Sequence, residues 1–248
     1  MSRLSALFPL NAWLRYLAEW KHFRRQMNLA RDRGFELSWR DRHPCLQDRT
    51  NTTTFDRHYV YHIAWAIRFL LKNGVSHHVD ISSSLHFVST LSASIPVDFY
   101  DYRPADIFLS GLQCKRADLT QLPFDDASLE SISCLHVLEH IGLGRYGDPI
   151  DPDGDLKAIS ELKRVVRPGG WLLIVVPVGR QRICFNAHRI YDWHQWLKEF
   201  DGFKLFDQAL IPDDVSDGGL VNLPTASMLN KQSYGCGCFA FQKHQFTT

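Results

Sequence analysis

The feature of this sequence that most constrains its fold is an apolar run, Trp171–Val178, placed directly after a helical pattern and a Pro-Gly-Gly turn. The helical pattern covers residues 155–166, and Pro168 cannot continue it because the ring clashes with the preceding turn. Gly169 and Gly170 supply the positive φ that a tight turn needs. A continuous apolar run is typical of a strand buried on both faces of a parallel sheet. The sequence therefore predicts a helix–turn–strand unit of an α/β fold.

Short apolar runs upstream of this unit predict four more strands. The strands are expected at residues 75–81, 97–100, 114–117 and 131–135, and helices at residues 56–71 and 85–93. Asp80 and Asp101 close the first two strands about 20 positions apart, which is the spacing of one strand–helix–strand unit. Because the carboxyl ends of parallel strands share one edge of the sheet, both carboxylates are expected beside a ligand cleft. Dinucleotide-binding domains have a similar spacing.

The composition is that of an ordinary globular protein, with 248 residues, 45% of them hydrophobic and 22% charged. A chain of this length fits one large domain with a modest extension. Its formal net charge of +1 creates no global field that would recruit nucleic acid. No apolar run approaches the ~18 residues of a membrane span, and the N-terminus lacks the pattern of a signal peptide. These features predict a cytoplasmic protein.

The six cysteines are scattered along the chain, which predicts reduced thiols rather than a disulfide framework. Cys236 and Cys238 are the only close pair. They are interpreted as plain strand residues, because the sequence shows no partners for a metal or redox role. The acidic residues at 151–155 do not form a calcium loop, since Leu162 stands where a bidentate glutamate is needed. No metal site is predicted.

Residues 2–33 fit an amphipathic helix that carries both apolar and basic side chains. Such a helix can lie on an anionic membrane surface. The same pattern fits a helix that covers the domain or contacts a dimer partner. Both alternatives stay open, so the protein is expected in the cytoplasm, either free or at the inner face of the membrane. The predicted organisation is a helical extension and linker, residues 1–54, followed by one domain, residues 55–248.

Three central segments have the order and spacing found in the class I S-adenosylmethionine-dependent methyltransferases. They are residues 118–129 (DLTQLPFDDASL), 135–140 (LHVLEH) and 167–170 (RPGG). More narrowly, HVLEHIGLGRYGDP at 136–149 and FNAHR at 185–189 resemble an uncharacterised-domain branch of that superfamily. Members of this branch are predicted methyltransferases, some of them acting on cell-surface sugars.

The resemblance covers roughly residues 75–243 and implies an α/β fold with a Rossmann-like, seven-stranded sheet between helices. The sheet would be mostly parallel with an antiparallel last strand, and the last two strands are predicted at residues 203–210 and 234–242. A polar insertion at residues 212–231 separates them and is expected to be a mobile lid. The helix at residues 56–71 would cover the cofactor.

The cofactor that the resemblance implies is S-adenosylmethionine. Asp101 would bind the ribose hydroxyls, since a carboxylate accepts two hydrogen bonds from a diol. Asp118 matches the position that bonds the adenine amino group, and Leu119 would pack on the ring. The other cofactor-binding residues that the resemblance implies are Asp80, Ser82, Ser84 and His136.

The loop after the first strand departs from the superfamily pattern, because Ser82 and Ser84 stand where glycines are expected. Glycine permits a tight turn and a close approach of backbone to ligand, whereas serine disfavours positive φ. The hydroxyls and the N–H groups of the following helix can still bond a carboxylate. This departure is the strongest argument for a protein that has kept the fold and lost the chemistry.

The acceptor site is expected beyond the fourth strand, in the long loop that follows it. His140 and His188 are the candidate general bases, because the pKa of histidine lies near neutrality. An arginine there can bind a phosphate or carboxylate. The predicted substrate-binding residues are Arg145, Tyr146, Asp148, Asn186 and Arg189.

The predicted function is methyl transfer from S-adenosylmethionine to an oxygen or nitrogen of a small-molecule or carbohydrate acceptor, as in polysaccharide biosynthesis. Such a transfer needs a positioned nucleophile and often a base. One alternative is a catalytically inactive, methyltransferase-like scaffold or partner protein. A second alternative is a nucleotide-dependent oxidoreductase, which a wholly parallel last strand would favour.

Overall fold

The computed structural model describes residues 10–245 of the chain. They form two compact units that divide in sequence between Phe55 and Asp56. The first unit contains helix α1, Leu10–Met27, and a short 3-10 turn at Trp39–Asp41.

Helix α1 ends earlier than the sequence predicts. Residues 28–33 form turn and irregular chain rather than helix, and residues 2–9 of the predicted helix lie outside the described residues. Ala12 is the only buried residue of α1, and large apolar side chains of the helix, Leu14 and Phe23 among them, are exposed. No helix between residues 10 and 245 is both long enough and apolar enough to cross a membrane.

The second unit begins with capped helices and parallel strands. The elements are α2 Arg57–Lys72, β1 His78–Ile81, α3 Leu85–Ser92, β2 Val97–Asp101 and β3 Leu112–Arg116. The side chain of Asp56 accepts the N–H of Tyr59 at 3.2 Å and so caps α2. Ser84 caps α3 by accepting the N–H of Phe87 at 3.3 Å. Each cap satisfies an N–H group that the first helical turn leaves unpaired.

The central part of this unit is a strand–helix–strand segment followed by a small hairpin. The elements are β4 Leu129–Leu135, α4 Gly154–Val165, β5 Val166–Val178, β6 Arg182–Cys184, β7 His188–Ile190 and α5 Trp193–Leu197, which a 3-10 turn continues to Phe200. The predicted Pro-Gly-Gly turn is part of β5, where Gly169 has a φ of +76°. The register with β4 shifts between Leu129 and Ser131. The sequence did not predict the β6–β7 hairpin.

The last elements are β8 Phe203–Ile211, β9 Val221–Asn222, α6 Ala226–Lys231 and β10 Gly235–Lys243. The large sheet has the order β3-β2-β1-β4-β5-β10-β8-β9. Strands β1 to β5 pair in parallel, and β10 is antiparallel to both β5 and β8. The mostly parallel sheet with an antiparallel last strand is therefore confirmed. The wholly parallel last strand that would favour an oxidoreductase is not what the structure shows.

The insertion between β8 and β10, which the sequence predicts to be a mobile lid, contains short elements of secondary structure. It contains a 3-10 turn at Val215–Asp217, strand β9 and helix α6. Strand β9 pairs with β8 and raises the strand number of the sheet from the predicted seven to eight. Arg57 of α2 donates to the carbonyls of Gly218 at 2.6 Å and Pro212 at 3.4 Å. These bonds tie the insertion to α2.

The sheet has an apolar core on each face. Successive residues of β5 alternate between the two cores, so that Leu172 joins the cluster with α4 and α5 while Leu173 joins the cluster with α2 and α3. This alternation follows from the two-residue repeat of a strand. The predicted burial of β5 on both faces is confirmed, since Leu172 and Leu173 are each 0% exposed.

Candidate active site

A cavity of about 400 Å³ lies at the carboxyl ends of β1, β2, β3 and β4. The chain leaves β1 toward β2 on one side and leaves β4 toward β5 on the other, so the cavity is where the strand order reverses. Open α/β sheets bind ligands at this point. The predicted site residues that line the cavity are Ser82, Ser84, Asp101, Asp118, Leu119, His136, His140, Tyr146 and Asp148. The remaining predicted residues, Asp80, Arg145, Asn186, His188 and Arg189, lie outside its lining.

The loop between β1 and α3 adopts a glycine-like turn without glycine. Ser82 has a φ of 59°, and its N–H donates to the carbonyl of Tyr100 at 2.7 Å. Its hydroxyl donates to the same carbonyl at 3.4 Å. Left-handed backbone at a serine costs on the order of 1–3 kcal/mol, which the surrounding structure must offset. Serine at this position is therefore compatible with the turn, at an energetic cost.

Asp80 directly precedes this loop and is fully buried. Its carboxylate holds the loop in place. Its carboxylate accepts the N–H of Ser83 at 3.0 Å and the hydroxyl of Ser83 at 2.6 Å, and it also accepts the hydroxyl of Ser133. Burial raises the pKa of Asp80 to about 7, against the lowering effect of these hydrogen bonds. Asp80 thus stabilises the loop rather than facing the cavity.

The buried network continues from Ser133 to His78, a histidine of β1. Both ring nitrogens of His78 lie 2.8 Å from serine hydroxyls, those of Ser131 and Ser133. Burial, followed by the charge of His77, lowers the pKa of His78 to about 3. His78 is therefore neutral. Its hydrogen bonds to the two serines link β1 to β4 without an ion pair.

Two carboxylates stand on the wall formed by β2 and β3. Oδ1 of Asp101 accepts the N–H of Arg103 at 2.6 Å. Oδ1 of Asp118 accepts the N–H and the hydroxyl of Thr120 at 2.8 and 2.7 Å. Each carboxylate is held by one oxygen and has its other oxygen without a hydrogen-bond partner among residues 10–245. Leu119 is 5% exposed beside them and offers an apolar surface to a ring.

The end of β4 carries a buried histidine and a buried carboxylate. His136 has a φ of 59° and places Nδ1 2.9 Å from Oε1 of Glu139. Burial would raise the pKa of Glu139, but the hydrogen bond to His136 and the charges of His136 and His140 together lower it. Glu139 is therefore an ionised group enclosed in protein.

His140 follows in a 3-10 turn and also lines the cavity. Its Nδ1 lies 2.6 Å from the carbonyl of Ala187. Because a carbonyl only accepts hydrogen bonds, Nδ1 carries the proton and Nε2 is left as the basic nitrogen. Burial is the main cause that lowers the pKa of His140, and it outweighs the charge of Glu139. The ring is therefore neutral near pH 7 and able to take up a proton.

In the long loop before α4, Asp148 holds the backbone in place and Tyr146 lines the cavity. Asp148 accepts the N–H groups of Gly142 and Tyr146 at 2.8 and 3.1 Å. The ring of Tyr146 has the guanidinium groups of Arg103 and Arg145 at 4.8 and 5.0 Å from its centroid. Arginine stacked on an aromatic face is a favourable contact. Two cations thus flank one cavity-lining ring.

Arg189 holds the same loop from a buried position. It donates to the carbonyls of Ile141 at 2.5 Å and Pro152 at 3.0 Å, and it forms an ion pair with Asp155 at 3.5 Å. Its donors are used by the protein itself, so the structure places it as a loop-fixing residue. Asn186 is exposed in the β6–β7 turn.

His188 lies in β7 next to Tyr234, with ring centroids 4.8 Å apart. Burial lowers the pKa of His188, despite the opposing charge of Glu139. Tyr234 in turn stacks on His58 at 5.4 Å, and His58 stacks on His136 at 5.3 Å. His188 therefore belongs to an aromatic cluster beside the cavity.

Sequence reasoning did not single out Arg103 or Lys157, both of which line the cavity. Arg103 stands two residues after Asp101, and this position just beyond the end of β2 could have predicted that it lies at the cavity. Lys157 is on α4 and pairs with Asp151 at 2.6 Å. Tyr59 of α2 also lines the cavity, as expected for the helix that precedes the first strand.

Three solved structures share this architecture. One is a Haloferax volcanii protein described as a methyltransferase, in complex with the Trm112 activator, with 16% identity, 78% of this chain and 92% of that chain covered, and a TM-score of 0.52. Another is a Galdieria sulphuraria protein described as a sarcosine dimethylglycine methyltransferase, with 14% identity, 75% and 85% coverage, and a TM-score of 0.52. The third is the Burkholderia thailandensis 1,6-didemethyltoxoflavin-N1-methyltransferase with its substrate and S-adenosylhomocysteine, with 11% identity, 75% and 79% coverage, and a TM-score of 0.52. The chain thus has the class I S-adenosylmethionine-dependent methyltransferase fold.

Within this fold, residues 121–209 match a family model described as "Caenorhabditis protein of unknown function, DUF268". The chain is also 30% identical over 95 residues to an uncharacterised protein of Methanocaldococcus jannaschii, a match that covers 36% of each chain. The family model spans β4 to β7 and most of β8, and neither similarity names a substrate.

Proposed function

We propose that this protein is an enzyme that transfers a methyl group from S-adenosylmethionine to a small-molecule acceptor. The observation that carries the proposal is the pair Asp101 and Asp118, which project from the ends of adjacent strands into one cavity of a methyltransferase fold. Each presents a carboxylate oxygen that has no hydrogen-bond partner among residues 10–245. Carboxylates so placed suit a ribose diol and an adenine amino group.

The proposed cofactor contacts follow from the chemistry of the lining residues. Asp101 would accept the two ribose hydroxyls, Asp118 the adenine amino group, and Leu119 would pack against the ring. The N-terminus of α3, capped by Ser84, would bind the carboxylate of the methionine end through its N–H groups and dipole. S-adenosylmethionine supplies a methyl group activated by its sulfonium, so the protein itself has to supply position and a base.

His140 is the proposed base. Its Nδ1 is committed to Ala187 at 2.6 Å. Nε2 would take the acceptor's proton while the acceptor oxygen or nitrogen bonds the methyl carbon and the methyl–sulfur bond breaks, with S-adenosylhomocysteine as the leaving group. His188 is the second candidate, although it stands outside the cavity lining. Tyr146, between Arg103 and Arg145, would contact the acceptor, and these two cations favour an acceptor that carries a phosphate or carboxylate. A carbohydrate acceptor rests on the resemblance alone.

Calorimetric titration of the purified chain with S-adenosylmethionine and S-adenosylhomocysteine tests this proposal. We expect micromolar dissociation constants, weakened about 10- to 100-fold by Asp101→Ala, which removes hydrogen bonds to a charged group. Asp98→Ala is the matched control, because Asp98 lies on the same strand and pairs with Lys115 at 3.2 Å, outside the cavity. Absence of binding at millimolar ligand would overturn the proposal and favour the inactive scaffold.

A further inference from the structure

Three side chains from distant parts of the sequence meet beside the cavity. They are His58 on α2, His136 after β4 and Cys236 on β10, and their nitrogen and sulfur donor atoms all lie within 4.8 Å of one another. His136 and Cys236 are buried, and His58 is partly buried. Cys236 sits in the middle of the sheet, opposite Pro177 of β5 and Ile211 of β8. Imidazole and thiolate are the ligands that zinc and related transition metals prefer.

His136 has the hydrogen bonding expected of a metal-binding histidine. The carboxylate of Glu139 accepts the proton of Nδ1 at 2.9 Å. The other nitrogen, Nε2, is buried and has no hydrogen-bond partner among the described residues. A carboxylate that orients the ring from behind and leaves the second nitrogen bare is the arrangement found behind metal-bound histidines. A buried nitrogen without a partner is otherwise unfavourable.

A second histidine of α2, His62, lies in the same cluster. His62 is 0% exposed, and neither of its ring nitrogens has a hydrogen-bond partner among residues 10–245. It follows His58 by one helical turn, so both rings lie on one face of α2. Its ring centroid is 5.1 Å from that of His136. The cluster therefore contains one more donor than the three atoms that already meet.

We propose that His58, His136 and Cys236 bind a divalent transition-metal ion of the zinc class at the wall of the cavity. Tetrahedral zinc has bonds of about 2.0–2.3 Å, which separate its ligand atoms by roughly 3.3–3.7 Å. The observed upper limit of 4.8 Å exceeds this separation by about 1 Å, so the side chains would move closer together as they bind the ion. Three protein ligands leave one position for His62, water or an acceptor atom.

This site does not depend on the proposed methyl transfer. His136 also lines the cavity, so the ion would lie next to any ligand there and would replace the cofactor contact predicted for that histidine. The competing interpretation is an aromatic stack with no ion, since His58 also stacks on Tyr234 at 5.4 Å. The two interpretations assign different roles to the Cys236 thiol, because only metal binding requires its sulfur.

Cobalt titration of the untagged, metal-stripped full chain tests the site. We expect one Co²⁺ per chain, with the intense visible absorption of tetrahedral cobalt and a sulfur-to-cobalt charge-transfer band in the near ultraviolet. Zinc should displace it. Mass spectrometry of the protein as purified should find about one equivalent of zinc or a related metal. These measurements need no variant and no methyl donor.

Variants then assign the ligands. Cys236→Ser should abolish the charge-transfer band, whereas Cys134→Ser, which changes another fully buried thiol on β4, should keep it. Glu139→Gln should weaken zinc binding about 10- to 100-fold, the effect of losing a carboxylate behind a ligand histidine. Absence of a tetrahedral cobalt spectrum in the wild-type chain, or the same spectrum in Cys236→Ser, would overturn the proposal and leave an aromatic stack.

Discussion

Oε1 of Glu139 lies 2.9 Å from Nδ1 of His136, and both side chains are almost closed to solvent. The pair joins the end of β4 to the turn that follows it. It also decides which nitrogen of His136 carries the proton, because a carboxylate only accepts. This hydrogen bond therefore holds two parts of the chain together and also fixes the tautomer of His136.

We expect Glu139→Ala to destabilise the protein by about 3–5 kcal/mol, because it leaves the buried His136 without its partner. Glu139→Gln keeps an acceptor at the same place and should cost about 1 kcal/mol. Urea unfolding followed by circular dichroism measures both. Equal losses for the two variants would contradict this expectation and show that the stabilisation comes from the negative charge, which both variants lack.

Asp80 should give the protein a pH-dependent stability. Its pKa is about 7 in the folded chain and 3.8 as the ordinary value, so between these values the folded state holds a proton that the unfolded chain has released. Stability from this group is therefore highest below about pH 4, falls as pH rises to about 7, and is constant above. The upper limit of the effect is on the order of 4 kcal/mol.

The difference in unfolding free energy between the wild type and Asp80→Asn, measured in urea at pH 5 and pH 8, isolates this contribution. The neutral amide cannot ionise, so the variant should gain on the wild type as pH rises. A difference that is the same at both pH values would mean that the hydrogen bonds from Ser83 and Ser133 hold the pKa near its ordinary value.

Ser82→Gly should raise stability by about 1 kcal/mol, because it removes left-handed strain at φ 59° that exceeds the entropy cost of a glycine. Ser84→Gly is the matched comparison. It removes a helix cap and should lower stability by a few tenths of a kcal/mol. Thermal unfolding distinguishes the two. A lower melting temperature for Ser82→Gly would show that the Ser82 hydroxyl bond to Tyr100 outweighs the strain.

Arg189→Met should lower stability by about 3–5 kcal/mol, because it removes the cation paired with the buried Asp155 and the donors to the carbonyls of Ile141 and Pro152. Arg182→Met on the neighbouring strand removes a more exposed guanidinium and should cost about 1 kcal/mol or less. Chemical unfolding measures both. If Arg189→Met were as stable as the wild type, the arginine would be free for the acceptor, as the sequence suggested.

The strands of the parallel half could be predicted because they are local apolar runs with a polar residue at the carboxyl end. The same reasoning placed Asp101 at the cavity, whereas Asp118 and Ser82 were expected there because of the resemblance to the methyltransferases. Arg189 was misplaced because a sequence does not show which arginine finds carbonyls in the interior. The short β9 was missed because two residues give no periodic pattern.

The histidine and cysteine cluster could not be found by spacing alone, since its members come from α2, the end of β4 and β10. The pair His58 and His62, four positions apart on one helix, was the signal that the sequence did contain. Its partner Cys236 is identified only when β10 takes its place between β5 and β8.

Strand β10 follows every other strand of the sheet in sequence but lies inside the sheet, between β5 and β8. During synthesis on the ribosome, β5 and β8 therefore emerge with bare edges that only a later segment can cover. Bare edges invite pairing with other chains. Until β10 inserts, strands β1 to β5 and strands β8 and β9 are two separate sheets, each with an edge that is prone to aggregation. Cys236 arrives with that same strand, so the sulfur joins the two histidines only in the final step of assembly.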